Sequence, residues 1–365
     1  MIKITPLDTL FFRDGRPFTS GDDNWAYNIF PPLPSTVYGA MRTAYIAQRG
    51  GLSAFMQGEM KDAIGTADGP GAFAIRGVFV VQGYNLLVPA PLDTLIHRHK
   101  NGKRLGVLRL EEGIGPMIDN LWLSHRLNEP GWEEVEIPDK VFIEQFTLKD
   151  YLSGGKGPFT FVRQNELIKR EDKIGIERSR QTHTAAEGML YQAGMLRLVN
   201  NVALAADYTG LDDFPQSGIM KLGGEAKAAR YEEAPQFGQL GLGPDELRKL
   251  WKADSVIKLY LATPAIFKKG WLPEGIDEMT GIWEIDGISL RLLTAAVASP
   301  INVGGWDLAH RRPKPMHKAV PAGSVYYFKV EKGDIESVIK KFNNKNISDV
   351  NSEQGFGLAF MGVVS

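Results

Sequence analysis

The chain has 365 residues, too many for one average core, and a net charge of −1, so it is no polycation and any strongly positive surface must be gathered locally. It has no cysteine, which excludes a disulfide framework, a thiolate metal site and a cysteine nucleophile, and fits a cytoplasmic location. No apolar run reaches the length of a membrane span, and none of the six histidines sits in a metal-ligand spacing, so neither a membrane helix nor a bound metal is expected.

Residues 1–12 read as a first strand, with Ile2 and Ile4 alternating and a break at Pro6. No basic segment leads a long apolar one, so this start is not read as a signal peptide. Residues 13–34 are rich in glycine and proline and predict a long loop. Ser35 is expected to cap a helix over TVYGAMRTAYIAQ, with Val37, Met41, Ala44 and Tyr45 on one face and Gly50 and Gly51 ending it. Residues 72–82 and 85–91 predict two strands, and 95–110 a hairpin turning at Asn101-Gly102. The opening order β, α, β, β is how a ferredoxin-like unit begins.

Residues 172–206 predict an extended segment, a polar loop and two more strands. PDELRKLWK (244–252) opens with a proline and an acidic first turn, as short helices do. From Ser255 a second unit is expected: a strand over SVIKLYLATPAIF, a strand or helix over 289–299, and a strand over 324–330. An amphipathic helix over 334–344 turns Ile335, Val338, Ile339 and Phe342 inward, and 356–364 closes the chain as a strand.

Four stretches carry a resemblance: PLDTLFFRDGRPF (6–18), PPLPSTVYGAMR (31–42), KIGIERSRQTHTAAEGMLYQ (173–192), and SPINVGGWDLAHRRPKPMHKAVPAGSVYYF (299–328) followed by QGFGLAFMG (354–362). In this order they resemble the RAMP subunit of CRISPR type III-B (Cmr) modules, and the similarity runs along the whole chain. The resemblance implies an α+β protein of two ferredoxin-like (RRM-like) domains with hairpin and loop insertions, placed here at 1–240 and 241–365. It implies contact with the 5′ tag of the guide RNA (crRNA). It also implies assembly with the large polymerase-like subunit and the repeating backbone subunits, with target cleavage and nucleotide signalling on other chains. The glycine loop is shorter than the family's pattern, holding only Gly355, Gly357 and Gly362.

Several groups are candidates for RNA contact. Glycine amides at Gly355 and Gly357 are able to approach phosphates, although a turn into the last strand accounts for them equally. The helix start at Ser35 points free N–H groups outward, with Arg42 two turns on and Tyr38 available for stacking; ordinary capping and packing are the competing account. Arg178, Arg180 and His183 lie in a polar loop long enough to project. Arg13 and Arg16 follow the first strand, with Asp14 as a competing salt-bridge partner. Two basic runs contain no acid: HRHKNGKR (97–104) and HRRPKPMHK (310–318). The second holds Arg311, Arg312, Lys314 and Lys318 near Trp306 and Met316.

No cofactor is expected, because GLGP (241–244) has neither a preceding strand nor a phosphate-loop lysine. The first histidine is His97, too late for a nuclease that uses an early histidine, so a non-catalytic role is expected. Two alternatives stay open. One is a RAMP-fold endoribonuclease using Asp14, Asp22 or Asp23; the other is a protein-only adaptor.

Overall fold

The computed structural model describes residues 1–13, 25–26, 28–113, 123–178, 185–225, 227–252, 256–307 and 309–364. They form two compact units, each assembled from separate stretches of sequence. The first comprises Met1–Gly83, Asn165–Pro235 and Asn302–Lys318; the second comprises Tyr84–Gln164, Gln236–Ile301 and Ala319–Ser365.

In the first unit the strand Ile2–Pro6 lies inside a sheet. Its Ile2 and Ile4 are fully buried, as their alternation predicts. On one side it pairs antiparallel with Val202–Thr209, Ile4 facing Leu204; on the other it pairs antiparallel with Ala228–Glu233, Ile4 facing Tyr231. Val202–Thr209 pairs onward with Ala74–Gln82, and Ser217–Lys221 lies outside Ala228–Glu233. The helix Pro34–Gln48 connects the first strand to Ala74–Gln82 and buries Val37, Met41, Ala44 and Tyr45. Its start differs from the expectation. Pro34 is already the first helical residue, Leu33 is the N-cap, and no side chain caps it, so Ser35 sits inside the first turn. Proline takes that place readily because its fixed φ suits a helix and its missing N–H has no intrahelical acceptor there. Gly50, at φ +93°, ends the helix as expected.

Ile168–Arg178 and Ala185–Leu198 form a long antiparallel hairpin, in register from Ile168 opposite Leu198 to Ile176 opposite Leu190.

The second unit has the sheet order Ile282–Ile285, Ile288–Ala296, Val325–Lys332, Val256–Leu261, Leu358–Val363, Lys345–Asn346. The stretch left open between strand and helix is a strand. Leu290, Leu292, Leu293 and Thr294 are all buried, and a strand covered on both faces loses its alternation. The helix Ile335–Phe342 buries Val338, Ile339 and Phe342, and the Asp334 carboxylate accepts from the Ser337 amide at 2.9 Å to cap it. Thr94–His99 and Gly102–Val107 make the expected hairpin, shifted by a residue: Lys100 and Asn101 form the connection and Gly102, at φ +92°, opens the second strand.

Candidate functional site

The segment around residues 302–318 is a small double hairpin. Ile301–Val303 pairs with His317–Ala319, and inside it Trp306 faces Pro313 while Asp307 faces Arg312. Asp307 builds the turn. One of its oxygens accepts from the amides of Ala309 and His310, each at 3.1 Å, and the other meets the His310 ring at 2.8 Å. These bonds from His310 hold the Asp307 carboxyl below the usual aspartate range. Arg311 then takes a left-handed φ of +51°.

The only acid of this segment is thus fully engaged in making the turn. Arg311, Arg312, Lys314 and Lys318 are exposed, and among the described residues none of the four side chains has an ion pair or hydrogen bond. Trp306 is 56% and Met316 48% exposed in the same segment. Four cations without an ion pair among the described residues, beside an exposed indole and a thioether, suit a polyanion with stackable bases.

The other acid-free run has a different fate. Arg98 pairs with Glu134 at 2.7 Å, Lys103 pairs with Glu136 at 2.9 Å, and Arg163 reaches Glu136 at 3.0 Å. Hydrogen bonds from Lys103 and Arg163 lower the Glu136 pKa. His97 stacks on Trp132 at 4.5 Å. Two of this run's four cations, Arg98 and Lys103, are thus paired with acids some thirty residues further along.

The remaining candidates are not brought to residues 302–318. Tyr38 is a packing residue, 9% exposed and stacked on Phe73 at 4.7 Å, so its ring has no free face for a base. Arg42 is structural: Nε donates to the Ile64 carbonyl at 3.0 Å, a second nitrogen donates to Thr66, and the guanidinium lies 5.0 Å over Phe55. The glycine loop is also internal. The Gly355 amide donates to Ser352 and the Gly357 amide to Pro264, so neither is available to a phosphate. Gly357 has φ +75°, and a Cβ there would stand 2.4 Å from the Ser348 nitrogen, which is why glycine occupies it. Ser35 is half-buried in the first turn of its helix. Arg13 is exposed and its backbone bridges to Asn28. Arg178 ends its strand, opposite Ala185. Arg16, Arg180 and His183, with Asp14, Asp22 and Asp23, lie outside the described residues.

One polar cluster escaped sequence reasoning. Asp93 is fully buried, and its Oδ2 accepts from Tyr151 at 2.7 Å and from Tyr327. Lys258, 3% exposed, holds its Nζ 3.6 Å from the Tyr151 ring centre. Burial raises the Asp93 pKa, with Lys258 opposing, and lowers that of Lys258 to about 8, with Asp93 opposing. Only the lysine within the apolar VIKLYL strand hinted at it. Among the described residues no three His, Asp or Glu side chains are placed to hold a metal, and no helix is long and apolar enough to cross a membrane.

Comparison with known proteins adds a family. Residues 2–364 match the model of the CRISPR-associated protein family Cas_Cmr3. The chain is 24% identical over 360 residues to the CRISPR system CMR subunit Cmr3 of Saccharolobus solfataricus, covering 95% of this chain and 90% of that protein. Among solved structures, it resembles a chain of the type III-B Cmr-β complex bound to cognate target RNA and AMPPnP, with a TM-score of 0.51 and 18% identity over 93% of this chain and 88% of that one. At that identity the likeness speaks to the fold, a mixed α/β architecture made mostly of sheet.

Proposed function

The chain belongs to the Cas_Cmr3 family of CRISPR-associated proteins, and from that premise we propose that it is a non-catalytic subunit of a cytoplasmic type III-B Cmr complex that grips the 5′ tag of the guide RNA. In this reading it pairs with the large polymerase-like subunit and abuts a backbone RAMP subunit. The observation that carries the RNA contact is the segment 302–318, where Arg311, Arg312, Lys314 and Lys318 are exposed without an acid partner among the described residues. Cations fix phosphates, and Trp306 supplies a platform for a splayed base.

We read the architecture as two ferredoxin-like domains whose core strands lie within 1–240 and 241–365, with residues 84–164 belonging to the second compact unit and 302–318 to the first. The strand orders support this. Ala74–Gln82, Val202–Thr209, Ile2–Pro6 and Ala228–Glu233 are neighbours in that sequence, all antiparallel, which is the second, third, first and fourth strand of such a unit. Ile288–Ala296, Val325–Lys332, Val256–Leu261 and Leu358–Val363 repeat the order. The first set keeps the helix between its first two strands, and the second keeps the helix between its last two.

The test is binding of labelled guide RNA, with and without its 5′ tag, to the chain alone and with its large-subunit partner, followed on a gel that also reports cleavage. Tag-dependent binding that weakens with salt and leaves the RNA intact is expected. Metal-dependent cutting lost in Asp22→Ala would instead favour the ribonuclease. Assembly with the partner but no tag dependence would favour an adaptor.

A further inference from the structure

The second unit holds a cavity that RNA gripping by residues 302–318 does not use. Its volume is about 230 Å³, and its lining comprises residues 107–111 and 154–156 with Lys258, Tyr327 and Val364. Lys258 is its buried cation. Among the described residues its ammonium makes no hydrogen bond, although it carries three donors. The Tyr151 ring face and the nearby Asp93 charge offset only part of the cost of burying it. Both tyrosine hydroxyls around Asp93 point to one of its oxygens, and its Oδ1 is buried without a partner.

The rim has the same sign. Arg109 and Lys156 are exposed, line the cavity, and among the described residues have no ion pair. The one carboxylate in the lining, Glu111, is engaged by Asn128 at 2.6 Å and by Arg126 at 3.6 Å. Two exposed rim cations, Arg109 and Lys156, therefore line a small concave space together with Lys258, whose buried charge Asp93 offsets only in part. A phosphomonoester carries close to two negative charges and several strong acceptor oxygens in a compact group. The space is smaller than the ~300 Å³ at which pockets for larger ligands begin, so the occupant is a phosphate with little more than a sugar attached.

We propose that the cavity lined by Lys258, Arg109 and Lys156 is a binding site for a phosphomonoester. A free sugar phosphate and the terminal phosphate of an oligonucleotide present the same chemistry. The site shares no residue with the 302–318 segment, so it stands or falls independently of guide-RNA binding there.

Calorimetric titration of the full chain tests it, using ribose 5-phosphate, a 5′-phosphorylated dinucleotide and the same dinucleotide with a 5′-hydroxyl. One-to-one binding of at least one phosphorylated ligand is expected, with none of the 5′-hydroxyl control. Binding of the sugar phosphate alone would identify a free metabolite; binding of the phosphorylated dinucleotide alone would identify a nucleic-acid end. The double variant Arg109→Ala/Lys156→Ala changes only exposed side chains and is expected to keep the wild-type melting profile while weakening binding at least about tenfold. Lys258→Met is expected to abolish it. Absence of binding by both phosphorylated ligands, or unchanged affinity in the folded rim variant, overturns the proposal.

Discussion

Tyr151 donates its hydroxyl to Asp93 Oδ2 at 2.7 Å, and neither group reaches solvent. Removing that hydroxyl leaves a buried carboxylate with one donor fewer. Tyr151→Phe is therefore expected to lower unfolding free energy by about 1–3 kcal/mol, read by urea titration. Asp93→Asn is expected to cost more, roughly 3–5 kcal/mol, because Lys258 is then left as a buried cation without its counter-charge. An Asp93→Asn protein as stable as the parent would show that this charge pair does not support the fold.

The same lysine makes stability depend on pH in the alkaline range. Burial lowers its pKa from 10.5 to about 8, with Asp93 acting against the shift. From about pH 8 upward the folded chain has released a proton that the unfolded chain still holds, so stability from this group rises with pH until the ordinary lysine range is passed. Above about pH 10 the buried tyrosines, Tyr151 and Tyr327, act in the opposite sense. Their pKa values are raised, so the folded chain keeps protons that the unfolded chain loses. Urea titrations at about pH 8 and about pH 9.5 should show higher stability at the second, and Lys258→Met should remove the difference. A flat or falling profile in the wild type would argue against the lowered lysine pKa.

For RNA, the exposed cations of residues 302–318 should act through phosphates. Replacing Arg311, Arg312 and Lys314 together by alanine is expected to weaken guide-RNA binding and to reduce the slope of log affinity against log salt by about 2, at ~0.7 per lost phosphate contact on a single strand. Trp306→Ala should weaken binding by about 1–3 kcal/mol if a base stacks there, with the salt slope unchanged. Arg98→Ala/Lys103→Ala is the contrasting variant: those side chains already face Glu134 and Glu136, so little change in RNA affinity is expected. The reverse ranking, measured by filter binding across a salt series, would move the interface to the 94–107 hairpin.

Gly357→Ala separates structural from phosphate-binding roles of the glycine loop. At φ +75°, and with Ser348 backbone where the Cβ would go, alanine is expected to destabilise the chain by more than about 1 kcal/mol. RNA affinity per folded molecule should not change, because the Gly357 amide donates to Pro264. Lost RNA binding in a protein that melts normally would restore the loop as an RNA contact.

Elements whose signals are local were legible in the sequence. The helix ending at Gly50, the hairpin around Asn101 and the capped helix after Asp334 each combine periodicity with a turn or cap residue nearby. Strand order was less so, because Ile4 finds its partners at Leu204 and Tyr231, and no local pattern encodes such a distance. The site divided along the same line. The run at 310–318 kept its charge, since its neighbour Asp307 is tied up in the turn. The run at 97–104 kept only part of it, since Arg98 and Lys103 meet Glu134 and Glu136 from far along the chain. Tyr38 and Arg42 lay on a correctly expected helix, but which face Phe73, Ile64 and Thr66 would cover depended on packing. The Asp93–Lys258 cluster joins a turn, a helix and two strands that lie far apart in the sequence and was invisible for that reason.

The position of the first strand has a bearing on synthesis. Ile2 stands opposite Ala206 on one side and Glu233 on the other, so neither edge of that strand can be satisfied until the ribosome has made more than half of these residues. At roughly 5–20 residues per second, this strand waits about ten to forty seconds with both edges open. The strand Val256–Leu261 waits less than half as long, because its partners at Val325–Lys332 and Leu358–Val363 are nearer in the sequence. Newly made chains are thus most vulnerable to edge-to-edge aggregation at the strand Ile2–Pro6, and that is where a chaperone or an early-binding assembly partner would have the greatest effect on yield.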